Sequence, residues 1–281
     1  MKEDIKKPHR MHLVSFPNLK QILDLLTVKS VMTPRDKFTC CQPDQNVTDA
    51  IKLLSENNFN AAPLEEGEIN RYVALEKLEQ CVGHFMHCDE VATKITARDR
   101  ITENTTIERL IGIFVERKDQ CPLFVAEDNS TIGLVTCADL DKIAVKVYFF
   151  ILISALESLL LDVIGRDYQK YKSCLRNPKS VEIRHGNCEG ELVGLDEYHY
   201  LMTKEILEIV WKSDIKTKVN VKNKGDFDKL IKFRNKVAHG NYIIIKDEDV
   251  KQLKEMDEKI REYIKSLEDN RQIEPLKTRA Q

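Results

Sequence analysis

The feature that most constrains this chain is a repeat: a strand, an amphipathic helix, two strands and a helix occur twice in the first half, about sixty residues apart. The first copy carries Val47–Asn57, VTDAIKLLSEN, with Val47, Ile51 and Leu54 at helical spacing. Ala62-Pro63-Leu64 and a strand over Tyr72–Leu75 follow it. The second copy carries Thr106–Glu116, TIERLIGIFVE, then Cys121–Val125, a turn at Glu127–Ser130 and a strand over Ile132–Val135. One copy alone has too little apolar surface for a core, so the two predict a pseudo-symmetric pair that buries its sheets together.

From Asp139 onward the period changes. Lys142–Ile164, Leu195–Trp211, Asp226–His239 and Asp247–Ser266 show helical apolar spacing without alternating strands, and the stretches Arg184–Gly194 and Lys216–Gly225 read as turns. The predicted organisation is an N-terminal segment over 1–24, the repeat pair over 25–145, a helical domain over 146–270 and a tail over 271–281. A length of 281 residues suits two domains, and 42% apolar with 32% charged residues is a globular balance.

The formal net charge of -2 argues against finding nucleic acid by bulk attraction and leaves room only for a local basic groove. Eight irregularly spaced cysteines and no secretory signal predict free thiols in the cytoplasm. Tyr148–Ile164, YFFILISALESLLLDVI, is interrupted by Glu157 and Asp162 and is short for a bilayer, so it predicts a helix buried on nearly all sides and no membrane span. Cys81, His84 and Cys88 would share a helix face, and His185 with Cys188 forms another pair, but neither spacing is that of a zinc module and no metal is assigned.

The helix ending at Gly240 carries the densest chemistry. Leu230, Phe233 and Val237 make one apolar face, with Lys229, Lys232 and Lys236 on the solvent side. Arg234, Ala238, Ile231, Asn235 and His239 lie on the flank between them. Two apolar members on that flank point to a second contact surface, most simply a two-fold dimer interface. Ser154, Ala155 and Ser158 would permit close approach of a neighbour, and Glu157, in a mostly apolar setting, is expected to pair with a cation such as Arg234.

Val31-Met32-Thr33-Pro34 and Gly133-Leu134-Val135-Thr136-Cys137-Ala138-Asp139 resemble the opening and the closing signature of a CBS module, over roughly residues 25–145. The resemblance implies an α/β CBS pair (a Bateman module) that binds a regulatory adenine nucleotide. AMP and ATP are the family's usual ligands, and dinucleotides and adenosyl sulfonium compounds also occur. Gly133 would let the backbone approach the ligand, Thr136 would donate to phosphate and Asp139 would accept from ribose hydroxyls. Thr136 and Asp139 also fit a plain helix cap. Arg71, Ala74 and Lys77 stand at the equivalent places of the first copy, which leaves one degenerate site.

Arg234-Asn235-Lys236-Val237-Ala238-His239 on a late helix, behind an apolar helix bearing Glu157, resembles the HEPN superfamily over about residues 145–270. The resemblance implies an all-α helical bundle, a homodimer and, in many members, a metal-independent ribonuclease needing no cofactor. His239 would act as base or acid, Arg234 would bind the scissile phosphate, and Asn235 would orient the histidine ring. Other members are non-catalytic dimerisation or RNA-binding modules. Some are toxins silenced by modification of a tyrosine two residues past the histidine, whereas Tyr242 stands three past His239.

Overall fold

The computed structural model describes residues 18–117, 122–128, 130–188, 196–244 and 247–277. The chain divides into two compact units. The first is Lys20–Tyr148 together with Tyr242–Lys254, and the second is built on Phe149–Asn241 and the stretch from Glu255.

In the first unit the order is α1 (Leu19–Asp24), β1 (Thr33–Pro34), α2 (Val47–Glu56), β2 (Ala61–Pro63), β3 (Arg71–Ala74), α3 (Leu75–Glu79), α4 (Cys88–Val91), β4 (Thr93–Lys94), β5 (Arg100–Ile101), α5 (Ile107–Glu116), β6 (Leu123–Glu127) and β7 (Ser130–Val135). The Asn46 side chain caps α2 by accepting from the Thr48 amide at 2.8 Å, and Thr106 caps α5 by accepting from the Arg109 amide at 3.3 Å. Val47, Ala50 and Leu54 of α2 are buried against Ala62, Leu64, Val73, Leu78 and Cys88. Each large aliphatic side chain there contributes about 2 kcal/mol.

The sheets exchange strands between the copies. One sheet has the order β1-β7-β6-β5 and the other β2-β3-β4. Thus β1, which precedes the first copy's helix, pairs antiparallel with β7 of the second copy, with Thr33 opposite Leu134. Reciprocally, β4 pairs antiparallel with β3 of the first copy, with Tyr72 opposite Thr93. Single bridges Thr27–Thr106 and Asn46–His87 repeat the same exchange ahead of each helix. Tyr72 and Phe124, one from each copy, pack with ring centroids 5.6 Å apart in a cluster completed by Ile69 and Ile95.

The expected helix face of Cys81, His84 and Cys88 does not form. The Glu90 carboxylate accepts from the His87 amide at 2.8 Å and starts α4 at Cys88, so Cys81 and His84 lie in the turn before it. Cys88 points into the core instead. Among the described residues no group of three or more His, Cys, Asp and Glu is placed to hold a metal.

The second unit is helical: most of α6 (Ile143–Gly165), α7 (Tyr168–Lys172), α8 (Pro178–Cys188), α9 (Thr203–Lys212), α10 (Ile215–Lys218), α11 (Lys224–Ala238) and α12 (Asp247–Lys277), whose start belongs to the first unit. Two expected turns contain helix: Arg184–Cys188 closes α8, and α10 runs from Ile215 into Lys216–Gly225, where α11 also starts. The rest of the Arg184–Gly194 stretch, the Cys121 start of the β6 segment, Asn129 of the expected turn and the side chain of Cys188 lie outside the described residues.

Burial of α6 is less complete than its composition suggests. Tyr148, Phe149, Leu152, Leu156, Leu160 and Ile164 are buried, but Ile143, Val147 and Phe150 are exposed. Among the described residues α6 is the one helix long and apolar enough to cross a membrane, with 44% of its most apolar stretch buried.

Candidate functional site

Two regions collect the predicted site residues, one in each unit. In the second unit, α11 buries Phe227, Leu230 and Val237, and Phe233 meets Phe149 of α6 edge to face at 4.8 Å. That contact sets the rotation of α11. Lys229, Lys232 and Lys236 point to solvent, as do Asn235, Ala238 and His239, while Arg234 is half-buried.

Arg234 and Glu157 are brought together. The Arg234 Nε lies 3.8 Å from Glu157 Oε1, an ion pair longer than a hydrogen bond, and the Thr203 hydroxyl donates to the same oxygen at 2.5 Å. Thr203 opens α9, whose start is fixed by Glu205: its carboxylate accepts from the Met202 amide at 2.8 Å, from the Ser180 hydroxyl at 3.1 Å and from Arg184. Burial pushes the Glu205 carboxyl up, but the Arg184 pairing and the Met202 and Ser180 hydrogen bonds outweigh it and hold the group below the ordinary glutamate value. Thr203 was not legible as a partner of Glu157, because 46 residues separate them.

His239 closes α11. Its amide donates to the Asn235 carbonyl at 3.0 Å, and Gly240, at φ 67, turns the chain away from the helix. The Asn241 amide then donates back to the Lys236 carbonyl at 3.0 Å. Among the described residues no side-chain hydrogen bond joins Asn235 to His239.

In the first unit a cavity of about 670 Å³ is lined by Thr33, Lys37, Phe38, Asn58–Ala61, Leu134, Thr136–Asp139, Asp141, Lys142, Tyr242 and Ile244. That volume suits a nucleotide-sized ligand. Thr136 and Asp139 face it and also cap one another: Asp139 Oδ2 accepts from the Thr136 amide at 2.6 Å and its hydroxyl at 3.0 Å. Lys142 Nζ lies 2.7 Å from Asp139 Oδ1 and donates to the Val31 carbonyl at 2.5 Å.

Gly133 does not line this cavity. A Cβ there would stand 2.9 Å from Met32 Sδ and 3.0 Å from the Thr33 carbonyl oxygen, so its missing side chain admits the exchanged strand β1 and not a ligand. At the degenerate position of the first copy, Arg71 pairs with Glu66 and Lys77 donates to Thr93 Oγ1 at 2.8 Å. Those two cations are engaged by protein groups.

Tyr242 and Ile244 are the cavity residues furthest from anything the sequence pattern assigned to it. A signal for them was the apolar run just after Gly240, Tyr242–Ile245, whose composition suits a cavity wall.

Residues 28–73 match the family model of the CBS domain, and residues 136–273 match that of the HEPN_MAE_28990-like HEPN domain. Among solved structures, the CBS-pair protein CBSX2 from Arabidopsis thaliana is 20% identical, with 43% of this chain and 95% of that one covered at a TM-score of 0.38. CBSX2 in complex with AMP is 22% identical over 43% of this chain and 97% of that one, at a TM-score of 0.36. The CBS domain of a bacterial CNNM/CorC family Mg2+ transporter in complex with ATP is 21% identical over 44% and 89%, at a TM-score of 0.37. No curated protein matches the chain. On the two family matches, this chain joins an N-terminal CBS domain to a C-terminal HEPN domain.

Proposed function

We propose that this protein is a metal-independent endoribonuclease whose HEPN cleft forms between two copies of the chain and whose CBS region senses an adenine nucleotide. The observation that carries the reading is the placement of the Arg234-Asn235-x3-His239 motif. Its histidine and asparagine are open to solvent at a helix end, while its arginine is held by a carboxylate of α6.

In such a cleft one His239 takes the proton from the RNA 2'-hydroxyl, whose oxygen attacks the adjacent phosphorus. The 5'-oxygen leaves with a proton from the second His239, giving a 2',3'-cyclic phosphate and a 5'-hydroxyl. An imidazole can both take up and release a proton near neutral pH, which suits both roles. Arg234 stabilises the charge developing on the phosphoryl oxygens. The exposed Lys229, Lys232 and Lys236 supply the local basic surface that a net charge of -2 otherwise lacks. Glu157 and Thr203 act as positioning residues, because they hold the guanidinium and need not touch RNA.

Nucleotide sensing rests on the cavity that carries Thr136, Asp139, Lys37 and Lys142. AMP and ATP, the ligands held by CBSX2 and by the CNNM/CorC CBS domain in their complexes, are the first candidates. The alternative, a non-catalytic dimerisation or RNA-binding module, is favoured by one observation. The His239 side chain has no hydrogen-bond partner among the described residues, so nothing among them sets its tautomer.

The test is cleavage of a varied RNA pool in EDTA, with and without AMP or ATP. The wild type is expected to cut, and His239→Ala and Arg234→Ala to lose at least about a hundredfold in rate while remaining folded dimers. A folded wild-type dimer that cuts no RNA under any nucleotide condition leaves the non-catalytic reading.

A further inference from the structure

The segment after the HEPN motif is anchored twice within three residues. The Asn241 amide donates to the Lys236 carbonyl at 3.0 Å and completes the C-terminal turn of α11. The Ile243 amide donates to Asp141 Oδ1 at 2.6 Å, across 102 residues of sequence. Tyr242 alone lies between the two anchors. The Ile243 side chain is 3% exposed, whereas Tyr242 is 71% exposed and lines the 670 Å³ cavity with Ile244 and Asp141. Lys146 braces the same point, with its Nζ 3.2 Å from Asp141 Oδ2 and 5.8 Å from the centre of the Tyr242 ring.

This arrangement is more than a covering loop. Asp141 is two residues beyond Asp139, so the carboxylate that holds Ile243 sits on the same short turn as the one that faces the cavity. Tyr242 lines the cavity together with Asp141 and Ile244, within reach of a ligand there. Tyr242 follows Asn241 directly in the chain, and the Asn241 amide is bonded to the Lys236 carbonyl in the turn that carries His239.

We propose that Tyr242 is a ligand-contacting residue of the nucleotide cavity, and that the Asn241–Ile244 segment is the link by which occupancy of the cavity is read at His239. This rests on the nucleotide-sensing reading above. The aromatic ring gives the ligand an apolar wall, and the Asp141 bond keeps that wall in register.

The test uses the full-length protein with AMP and ATP. Binding is measured by calorimetry for wild type, Tyr242→Ala and Tyr242→Phe, alongside amide hydrogen exchange over 236–244. Expected results are wild-type binding, slowed exchange over 239–244 on adding the bound nucleotide, about tenfold weaker binding in Tyr242→Ala and near-wild-type binding in Tyr242→Phe. Because Tyr242 is exposed, both variants should melt with the wild type. Wild-type binding that Tyr242→Ala leaves unchanged, with no protection over 239–244, overturns the link and spares nucleotide sensing. A wild type that binds neither nucleotide removes both.

Discussion

Two Thr-x-x-Asp turns in the first unit have almost the same hydrogen bonds and different prospects. At Thr96 the Asp99 carboxylate accepts from the threonine amide at 2.8 Å and its hydroxyl at 2.6 Å, and at Thr136 the Asp139 carboxylate accepts at 2.6 and 3.0 Å. The remaining Asp99 oxygen meets the largely buried guanidinium of Arg117 at 3.1 Å. The remaining Asp139 oxygen meets Lys142, which is half-exposed at the wall of a cavity. The turn is therefore a local solution to an unfilled helix start, available with or without a ligand. What separates the two is the cation each carboxylate faces, a largely buried arginine at Asp99 and a half-exposed lysine at Asp139.

The largest effect that sharpens this contrast is expected at Asp99. Asp99→Asn removes the carboxylate charge that faces the largely buried Arg117 guanidinium, which costs about 2 kcal/mol of folding stability in chemical denaturation. Nucleotide binding by the folded fraction should be unchanged. Loss of binding there, with folding intact, would erase the distinction between the two turns.

At Asp139 the balance reverses. Asp139→Asn should cost only about 1 kcal/mol of stability, the worth of a cap, yet weaken AMP or ATP binding by at least about tenfold in calorimetry. Equal affinity in wild type and variant would make the second turn a cap and nothing else.

The smallest effect is in acid. Burial works against the charged form of Asp99, but the bonds from Thr96 and the charges of Arg117 and Arg98 prevail and hold its carboxyl below the 3.8 of an unperturbed aspartate. A depressed folded value means that the stability it provides is complete above about pH 4 and is lost as pH falls through the lower folded value. Melting temperature followed from pH 6 downward should fall more gently in Asp99→Asn than in wild type. Parallel curves would show that Asp99 carries no such linkage.

Much of the second unit was legible because helices announce themselves in spacing. Leu230, Phe233 and Val237 face inward and the three lysines outward, as their 100° steps require, and a carboxylate at position 157 amid apolar residues had to find a cation. The exchanged strands were hidden because β1 and β4 are two residues long, too short for any alternation to register. Gly133 was legible as a place of close approach but not as to what approaches.

By itself, then, the chain's order of residues determined two repeated α/β units, a helical second half, and an arginine, asparagine and histidine on one flank of its late helix. These are local matters of period and capping. Only the tertiary structure decided that β1 crosses to β7, that the Thr136 turn borders a cavity, and that Tyr242 lies against that cavity. Such pairings join residues up to a hundred or so positions apart, and they are chosen by the burial and hydrogen bonding of the assembled sheets and turns, for which no short stretch of sequence carries a signal.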